Sequence, residues 1–394
     1  MWYTRMTLED WFDTYQYTVK YDIGESAVKY LTFDQLAIDF GKLPVRYGYH
    51  MGRPDLRALL APAYPGLTAD NILVTSGGSE ANFAIVSTLV KPGDHVVIEH
   101  PNYTSLYEVP RSLGCAVSLF RLQYEDRFKP NLDILAKMIS PDTKLVSLTH
   151  PNNPTGSMIT KEEMEEVIDI VERKKTILLF DETYSDLAYG NRLPSAAPMS
   201  DRVVSISSMS KCYGLPGIRI GWLATRNRDI LDSVLAIREQ VSITNSALGE
   251  EVAVRVLERK DEFLDRAKRH VKRNLAIVAE WMENQDTFEW VFPEAGVVSL
   301  PRIKPGVRVD PERLWRLLAE KYKTFIIPGR CFEMDNRHFR LGFGGTPEEI
   351  KIGLDNLLAA VAELESGSPN YRHPDLCKAQ VGDPSMHNPG YLEN

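Results

Sequence analysis

The sequence predicts an α/β fold in which a mostly parallel sheet, covered by helices, forms a large domain beside a smaller α+β domain. Between residues 71 and 224, short apolar stretches alternate with helical patterns, which is typical of a sheet that is buried on both faces. After residue 229 the chain becomes helical, and beyond residue 285 short strands and helices mix. The sequence therefore predicts two domains of unequal size.

We expect four regions along the chain. An N-terminal segment joins the small domain, the large domain follows, the small C-terminal domain comes next, and the last region is an irregular tail rich in Pro, Gly, Asn and Asp. Their predicted bounds are 1–45, 46–285, 286–366 and 367–394. In the first region, Leu8 to Tyr21 predicts an amphipathic helix and Thr32 to Phe40 a shorter one.

The remaining elements follow from the apolar pattern and from its glycine and proline breaks. In the large domain the predicted strands are 71–75, 95–99, 116–120, 144–149, 176–180, 203–207 and 221–224. Its predicted helices include 81–89, 132–139, 161–174, 230–241, 246–258 and 261–284. In the small domain, strands are predicted within 288–300, 307–309, 324–329 and 338–343, and helices at 311–322 and 347–365.

Length and composition indicate a soluble intracellular protein. The chain has 394 residues and a formal net charge of -8 without a basic run, which argues against nucleic-acid binding. Its four cysteines lie far apart and form no CxxC pair, so we expect reduced thiols, a cytoplasmic location and no metal site. We expect no membrane partner and no signal peptide, because no apolar run is long enough and the first ten residues are polar.

Two glycine-rich loops carry candidate binding residues. Ser76-Gly77-Gly78-Ser79 opens a predicted helix, which makes it either an anion site at a helix N-terminus or an ordinary loop. The stretch from Ser208 to Gly221 places Lys211 among hydroxyl residues and glycines, with Arg219 eight residues later. An aldehyde cofactor with a phosphate group needs such a set, although a plain Ser/Gly-rich loop has the same composition.

Polar motifs also follow the ends of two other predicted strands. Asn152-Asn153-Pro154-Thr155-Gly156 follows one strand, and Asp181-Glu182-Thr183-Tyr184 follows the next. Ligands of open α/β sheets bind beyond the carboxyl ends of the strands, which is where these motifs fall. A carboxylate directly after an apolar strand, as at Asp181, also needs a partner. The sequence thus predicts one ligand site at this edge of the sheet.

These motifs, with Tyr47 to Arg57 before them and Phe339-Arg340-Leu341 after them, resemble the class I/II aminotransferase family of fold-type I pyridoxal-phosphate (PLP) enzymes. The resemblance covers residues 22–365. It implies that Lys211 forms the Schiff base with PLP and moves the Cα proton of an amino acid substrate. It implies that Asp181 pairs with the pyridinium nitrogen, and that Tyr184 and Asn153 bond the phenolic oxygen.

The resemblance also implies the remaining cofactor contacts. Tyr103 matches the aromatic residue that stacks on the ring, although an aromatic here is also typical of a core. Tyr47 matches a tyrosine that reaches the phosphate of the neighbouring subunit, so a homodimer with shared sites is expected. The residues that match the phosphate site are Gly78, Ser79, Ser208, Ser210 and Arg219.

On the substrate side, Arg340 matches the arginine that clamps the α-carboxylate, with a salt-bridged strand arginine as the alternative. The family pattern has a Gly-x-Pro-like turn near the N-terminus, and Gly24-Glu25-Ser26 stands here without the proline. We expect these three residues to contact the substrate. The opening of the chain, including Leu8-Glu9-Asp10-Trp11, also resembles capreomycidine synthase-like cyclases.

Three functions remain open at this point. The first is transamination of an amino acid with a 2-oxo acid as the second substrate. The second is a lyase or cyclase reaction on a hydroxylated arginine-like amino acid. In that case Glu9, Glu25 and Ser26 are candidates to contact the guanidinium group, with ordinary surface acids as the alternative. The third, a regulatory protein without catalysis, is poorly supported because both Lys211 and Asp181 are present.

Overall fold

The computed structural model describes residues 3–366, and the tail predicted at 367–394 lies outside them. Twelve α-helices occur in the described residues. They are α1 (Thr7–Tyr15), α2 (Phe33–Leu36), α3 (Pro54–Leu60), α4 (Gly78–Leu89), α5 (Ser105–Ser112), α6 (Leu132–Met138), α7 (Lys161–Lys174), α8 (Arg228–Val241), α9 (Ala247–Leu257), α10 (Lys260–Glu283), α11 (Pro311–Glu320) and α12 (Pro347–Glu365). None of these helices is long and apolar enough to cross a membrane.

Fourteen strands accompany them in the same residues. They are β1 (Tyr21–Asp22), β2 (Ile72–Thr75), β3 (His95–His100), β4 (Ala116–Arg121), β5 (Thr143–Thr149), β6 (Ile177–Asp181), β7 (Val203–Ser208), β8 (Gly221–Thr225), β9 (Phe288–Glu289), β10 (Val298–Ser299), β11 (Arg302–Ile303), β12 (Thr324–Phe325), β13 (Ile327–Pro328) and β14 (Phe339–Gly342).

The central sheet has seven strands in the order β2-β8-β7-β6-β5-β3-β4. Only β8 runs antiparallel to its two neighbours, so the predicted mostly parallel sheet is confirmed. Helices cover both faces of the sheet. Successive side chains of a strand point to opposite faces, so neighbouring residues of one strand pack against different helices. Leu178 and Phe180 of β6 pack in a cluster with residues of α6 and α7, whereas Leu179 packs in one with residues of α4, α5 and α8.

The register of the sheet brings three strand ends together. Thr149 at the end of β5 lies beside Asp181 of β6, and Asp181 lies beside Ile206 of β7. The loops that follow β5, β6 and β7 therefore begin next to one another. This edge is where the sequence places its polar motifs, and it is the floor of the cavity described below.

The N-terminal segment packs against late parts of the chain. Residues Tyr21 and Asp22 of β1 pair in parallel with Thr324 and Phe325 of β12. Helix α1 is fixed by Trp11, which is 4% exposed and donates from Nε1 to the carbonyl oxygen of Ile326 at 2.8 Å. The N-terminal segment thus packs against the part of the chain that contains strands β12 to β14.

The structure shortens two predicted helices of this segment. The helix predicted at 8–21 ends at Tyr15 and continues as a 3-10 turn to Thr18, because residues 21–22 are drawn into pairing with β12. The helix predicted at 32–40 covers only Phe33–Leu36, since Ala37 adopts a left-handed conformation with φ of 51°. A left-handed residue ends an α-helix.

In the C-terminal part, the predicted strand at 307–309 is wrong. Residues 305–306 form a turn, closed by the hydrogen bond from Val307 N to Lys304 O, and no ladder follows it. The long strand region predicted at 288–300 contains only β9 and β10, because Pro293 and Gly296 (φ 77°) interrupt it. The other predicted strands and helices agree with the structure to within a few residues, whereas β1 and β11 were not predicted.

Candidate active site

A cavity of about 1290 Å³ opens at the carboxyl ends of β5, β6 and β7. Its floor comes from the loops after these strands, and α4 and α9 contribute one wall. Helix α1 and residues 22–36 form another wall. Three cationic side chains line the cavity, namely Lys211, Arg219 and Arg340.

One end of the cavity is built to hold an anion. Helix α4 begins at Gly78, so its first backbone N–H groups and the positive end of its dipole lie beside Ser79. Arg219 approaches this turn closely and donates from Nη2 to the carbonyl oxygen of Ser76 at 3.3 Å. A Cβ on Gly77, whose φ is 86°, would lie 2.4 Å from that nitrogen. Glycine at this position lets the guanidinium reach the helix N-terminus.

The opposite part of the floor carries a buried carboxylate. Asp181 ends β6, is 8% exposed, and accepts a hydrogen bond from Thr183 N at 2.9 Å. Burial raises the pKa of Asp181, and the bonds from Thr183 and the charge of Lys211 only partly oppose this shift. A cation or protonated ring nitrogen beside Asp181 would favour its ionised form.

Lys211 lies in the loop after β7, between the anion end and the N-terminal segment. Its Nζ donates to Ser26 Oγ at 2.9 Å and lies 3.5 Å from Glu25 Oε1. Ser208 and Ser210 of the same loop also line the cavity, and Ser210 N donates to Ser208 Oγ at 3.3 Å. The lysine amine is therefore held at the cavity by side chains that are 185 residues away in the sequence.

Arg340 of β14 is 2% exposed and is oriented by three hydrogen bonds. Its Nε and Nη2 donate to the carbonyl oxygen of Gly24 at 3.1 and 2.8 Å, and Nη1 donates to Asn153 Oδ1 at 3.2 Å. A guanidinium carries five N–H donors, so each terminal nitrogen keeps one N–H for another acceptor. A carboxylate is the acceptor that two such donors bind best.

Two tyrosines connect the floor to the N-terminal segment. Tyr184 donates its hydroxyl to the carbonyl oxygen of Ser26 at 2.6 Å. Tyr103 donates its hydroxyl to Glu9 Oε1 at 3.2 Å. Burial first, and the charge of Glu9 second, raise the pKa of Tyr103 to about 12, so this hydroxyl keeps its proton at neutral pH.

The structure brings most of the residues predicted from the sequence into this one cavity. Gly24 is not part of the lining, but its carbonyl oxygen holds Arg340. Tyr47 is 78% exposed and lies outside the lining of this cavity. The predicted residues that line it are Glu9, Glu25, Ser26, Gly78, Ser79, Tyr103, Asn153, Asp181, Tyr184, Ser208, Ser210, Lys211, Arg219 and Arg340.

A sequence model of the family described as aminotransferase class I and II matches residues 37–357, which is most of the chain. The chain belongs to this family. The resemblance inferred from the motifs is thereby confirmed, and so is the expectation of a PLP-dependent enzyme with the fold-type I architecture.

Three known proteins are similar to this family member over most of its length. Capreomycidine synthase from Streptomyces vinaceus is 31% identical over 368 residues, which cover 90% of this chain and 92% of the relative. A PLP-dependent aminotransferase from Streptococcus suis superposes with a TM-score of 0.87 at 29% identity, covering 92% of this chain and 99% of that one. The PLP-dependent cyclase OrfR gives a TM-score of 0.85 at 28% identity, with coverages of 92% and 98%.

The donor set of this family member fits PLP. The cofactor has a phosphate dianion, an aldehyde and a ring nitrogen, and the cavity offers partners for each. The N-terminus of α4 with Arg219 suits the phosphate, the Lys211 amine suits the aldehyde, and the buried Asp181 suits a protonated ring nitrogen. Among residues 3–366, no cluster of three His, Cys, Asp or Glu side chains suits a metal ion.

Sequence reasoning missed a polar stripe of α1. Asp13 and Gln16 line the cavity together with Glu9, at helical spacing beside the buried Leu8 and Trp11. The separation of acidic from apolar positions in this helix is the signal that could have identified them. Asp22 was also missed: its Oδ1 accepts bonds from the backbone N–H groups of residues 24 and 25 at 2.9 Å.

Proposed function

We propose that the enzyme uses PLP to break the Cα–H bond of an amino acid, with Lys211 as the base that takes the proton. The observation that carries this proposal is the shared cavity of Lys211, Asp181 and Arg340. In this assignment Arg340 binds the α-carboxylate, and Asp181 keeps the ring nitrogen of the cofactor protonated. Bound PLP supplies an electron sink for the charge left at Cα.

The remaining cofactor residues complete the assignment. Tyr184 and Asn153 bond the phenolic oxygen, and Tyr103 stacks on the ring. Gly78, Ser79, Ser208, Ser210 and Arg219 hold the phosphate. This assignment is supported by the position of Gly78 and Ser79 at the N-terminus of α4, where the helix dipole and free N–H groups would stabilise an anion.

Transamination is the first reaction that we propose for this site. This reaction would exchange the amino group of one amino acid for the oxo group of a 2-oxo acid, and bound PLP would supply the carrier for the amino group. Lys211 serves both steps, because a single amine can remove the Cα proton and deliver it elsewhere. Membership of the aminotransferase family and the Streptococcus suis structure support this reaction.

A second candidate is elimination followed by cyclisation of a hydroxylated, arginine-like amino acid. A hydroxyl group would leave as water after Cα loses its proton, and a guanidine nitrogen would add to the carbon that the hydroxyl left. The relatives named capreomycidine synthase and cyclase OrfR favour this candidate. The acidic wall of the cavity favours it independently.

The charges of the cavity argue for a substrate with a cationic side chain. Once Lys211, Arg219, Arg340 and Asp181 have been assigned, the lining still contains four carboxylates. These lie on the wall formed by the N-terminal segment, and a guanidinium bonded by carboxylates satisfies both charges. The four residues are Glu9, Asp13, Asp22 and Glu25.

We also propose a cytoplasmic homodimer in which Tyr47 reaches the phosphate site of the other subunit. Exposed apolar side chains on residues 45–49 and 241–248 support this, because such a surface favours association with a second copy. The residues that flank these segments are in contact, since His50 Nδ1 lies 2.7 Å from Glu239 Oε1. The exposed residues are Val45, Tyr47, Tyr49, Val241, Ile243 and Leu248.

The decisive experiment is a cofactor spectrum of the purified enzyme with single amino acids and no 2-oxo acid. The panel contains arginine, hydroxyarginines, aspartate and an aromatic amino acid. Transamination predicts that the band of the lysine-bound cofactor converts to the pyridoxamine form and stays there. Cyclisation predicts that this band returns while the amino acid is consumed.

Two results bear on the assignment itself. The Lys211→Ala variant should bind PLP without the band of the lysine-bound cofactor, and an unchanged band would refute the role of Lys211. A response to aspartate or the aromatic amino acid alone would refute the cationic substrate and leave the role of Lys211 intact.

A further inference from the structure

We propose that Ser26 and Glu25 position the side-chain amine of Lys211 and hold its proton during the reaction, with Ser26 as the direct partner and Glu25 as its charged support. This inference rests on the assignment of Lys211 under the proposed function. Under the proposed function Lys211 alone handles the Cα proton, and Ser26 and Glu25 of the N-terminal segment are added to it here.

The contacts form a closed triangle. Lys211 Nζ donates to Ser26 Oγ at 2.9 Å and lies 3.5 Å from Glu25 Oε1. The Ser26 hydroxyl lies 3.4 Å from the same carboxylate oxygen, and Ser26 N donates to that oxygen at 2.7 Å. One carboxylate oxygen thus orients the serine while it also attracts the ammonium group.

The backbone around Ser26 is fixed from two sides. Its carbonyl oxygen accepts the Tyr184 hydroxyl, and two residues later Val28 N donates to the carbonyl oxygen of Lys211 at 3.2 Å. On the other side, Gly342 N donates to Ile23 O at 2.8 Å. Ser26 is 3% exposed, so its hydroxyl has little freedom to turn toward solvent. The serine therefore meets the lysine at a defined distance.

Glu25 stays ionised in this surrounding. Burial alone would raise the pKa of Glu25, but the charges of Lys211 and Arg340 outweigh it and lower the pKa to about 2. The acidic neighbours on the same segment are Asp22 and Tyr30, and burial raises the pKa of each of them. Glu25 therefore carries its charge throughout the neutral range.

The other groups around the triangle are accounted for as well. Gln16, in the 3-10 turn after α1, donates to Glu25 Oε2 at 3.4 Å, which leaves Oε1 to the serine and the lysine. At the floor of the cavity, the charge of Lys211 lowers the pKa of Asp181, although burial has the larger and opposite effect. Since Asp181 is committed to the cofactor ring, Glu25 is the carboxylate that balances a positive charge on Lys211.

The proton balance follows directly. Lys211 would hold the cofactor, and it acts as a base only as a free, neutral amine. It becomes an ammonium ion when it takes the Cα proton, and Ser26 Oγ then accepts one of its N–H groups while Glu25 offsets its charge. The ammonium ion gives the proton to the next acceptor atom and returns to the neutral amine.

The test is a pH titration of the absorbance of the lysine-bound cofactor, in the holoenzyme and in four variants. Glu25→Gln should lower the midpoint by about 1 pH unit or more, because a negative charge near the lysine nitrogen favours its protonated form. Ser26→Ala should lower it by less and reduce kcat roughly tenfold with little change in KM. Ser26→Thr keeps a hydroxyl and should restore most of both quantities.

The control is Ser299→Ala. Ser299 is as buried as Ser26, lies outside the lining of the cavity, and its hydroxyl has no hydrogen-bond partner among residues 3–366. If Ser26→Ala gives the same midpoint as Ser299→Ala, or if Ser26→Thr behaves like Ser26→Ala, the inference is overturned. In either case the band of the lysine-bound cofactor still reports on Lys211, so failure of the proposed function would be visible separately as its absence.

Discussion

Gly342 and Gly344 determine whether the N-terminal segment can reach the active site. A Cβ on Gly342 would lie 2.0 Å from the carbonyl oxygen of Glu25, and one on Gly344 would lie 1.8 Å from that of Ala27. Both distances are far below van der Waals contact, and both partners are backbone atoms that cannot rotate away. At the residue scale, the position of Glu25 and Ser26 therefore depends on the absence of two methyl groups.

We predict that Gly344→Ala destabilises the protein by about 1 to 3 kcal/mol or more, because overpacking against backbone forces a shift of the main chain. The same shift moves Ser26 away from Lys211, so kcat should fall as well. Differential scanning fluorimetry and steady-state kinetics measure the two effects. Gly306→Ala is the control, since a Cβ there meets nothing within 4 Å. Equal behaviour of the two variants would contradict this account of the glycine.

A second residue-scale prediction concerns acid stability. The pKa of Glu25 lies at about 2 in the folded protein against an ordinary value of 4.5, so the unfolded state binds the proton more readily. Glu25 therefore adds stability above about pH 4.5 and loses this contribution as the pH falls toward 2.

Urea unfolding of the cofactor-free protein at about pH 6 and pH 3 tests this sign. Glu25→Gln should lower the free energy of unfolding at the higher pH, and the difference from wild type should shrink at the lower pH. Glu348→Gln, at an exposed position of α12, is the control. A difference that grows toward acid would show that the direction is wrong.

Among the elements, α1 is the one whose docking shapes the substrate wall. It carries Glu9 and Asp13 on one side, while Trp11 anchors it through a buried ring and the bond to Ile326. Lys211, on the loop after β7, and Asp181, at the end of β6, are the proposed cofactor residues, and both are positioned by the central sheet. Loss of α1 docking should therefore weaken substrate binding and leave cofactor binding nearly unchanged.

Trp11→Ala should raise KM for the amino acid about tenfold, which corresponds to about 1.4 kcal/mol of lost binding. The midpoint of PLP binding should stay close to that of wild type. Thr14→Ala, on the exposed side of α1, provides the matched control. Equal losses of cofactor and substrate affinity in Trp11→Ala would mean that α1 supports the whole site.

At the scale of the whole molecule, each site of the proposed dimer contains residues from both chains. A mixture of Lys211→Ala and Tyr47→Ala chains can form heterodimers in which one site has an intact Lys211 and an intact Tyr47 from the other chain. Random pairing of equal amounts gives about a quarter of the wild-type sites.

Each variant alone should be poorly active, and activity should rise after the two are mixed, unfolded gently and reassembled. Light scattering checks that the assembly is a dimer before and after mixing. Additive activities of the two variants would contradict the sharing of Tyr47 between subunits.

The sequence predicted the central sheet and its polar edge well, for a physical reason. Strands such as β5 and β6 are buried on both faces, so their apolar runs are unmistakable, and Asp181 stands out directly after one of them. Contacts between distant parts of the chain could not be predicted from these local apolar patterns. The bond between Tyr103 and Glu9 and the end of α1 at Tyr15 depend on how the N-terminal segment packs.

The same limit applies to the roles of individual residues. Membership of the family and the cofactor are confirmed, whereas the domain bounds at 46 and 286 and the residue assignments stay predictions. The orientation of Arg340 by Gly24 could not be predicted from either stretch alone, because 316 residues separate the two partners. A residue's type and place in a strand can be read locally, but its partner cannot.

The pairing of residues 21–28 with residues 324–344 has a consequence for the order in which the protein becomes functional. Synthesis proceeds from the N-terminus, so Lys211, Asp181 and the anion-binding turn of α4 emerge before β12 and β14 exist. Until then residues 21–28 have no strand to pair with and Arg340 is missing. A growing chain on the ribosome thus carries the proposed cofactor residues well before Arg340, the residue proposed to bind the substrate carboxylate, and the proposed site is complete only when most of the chain has been made.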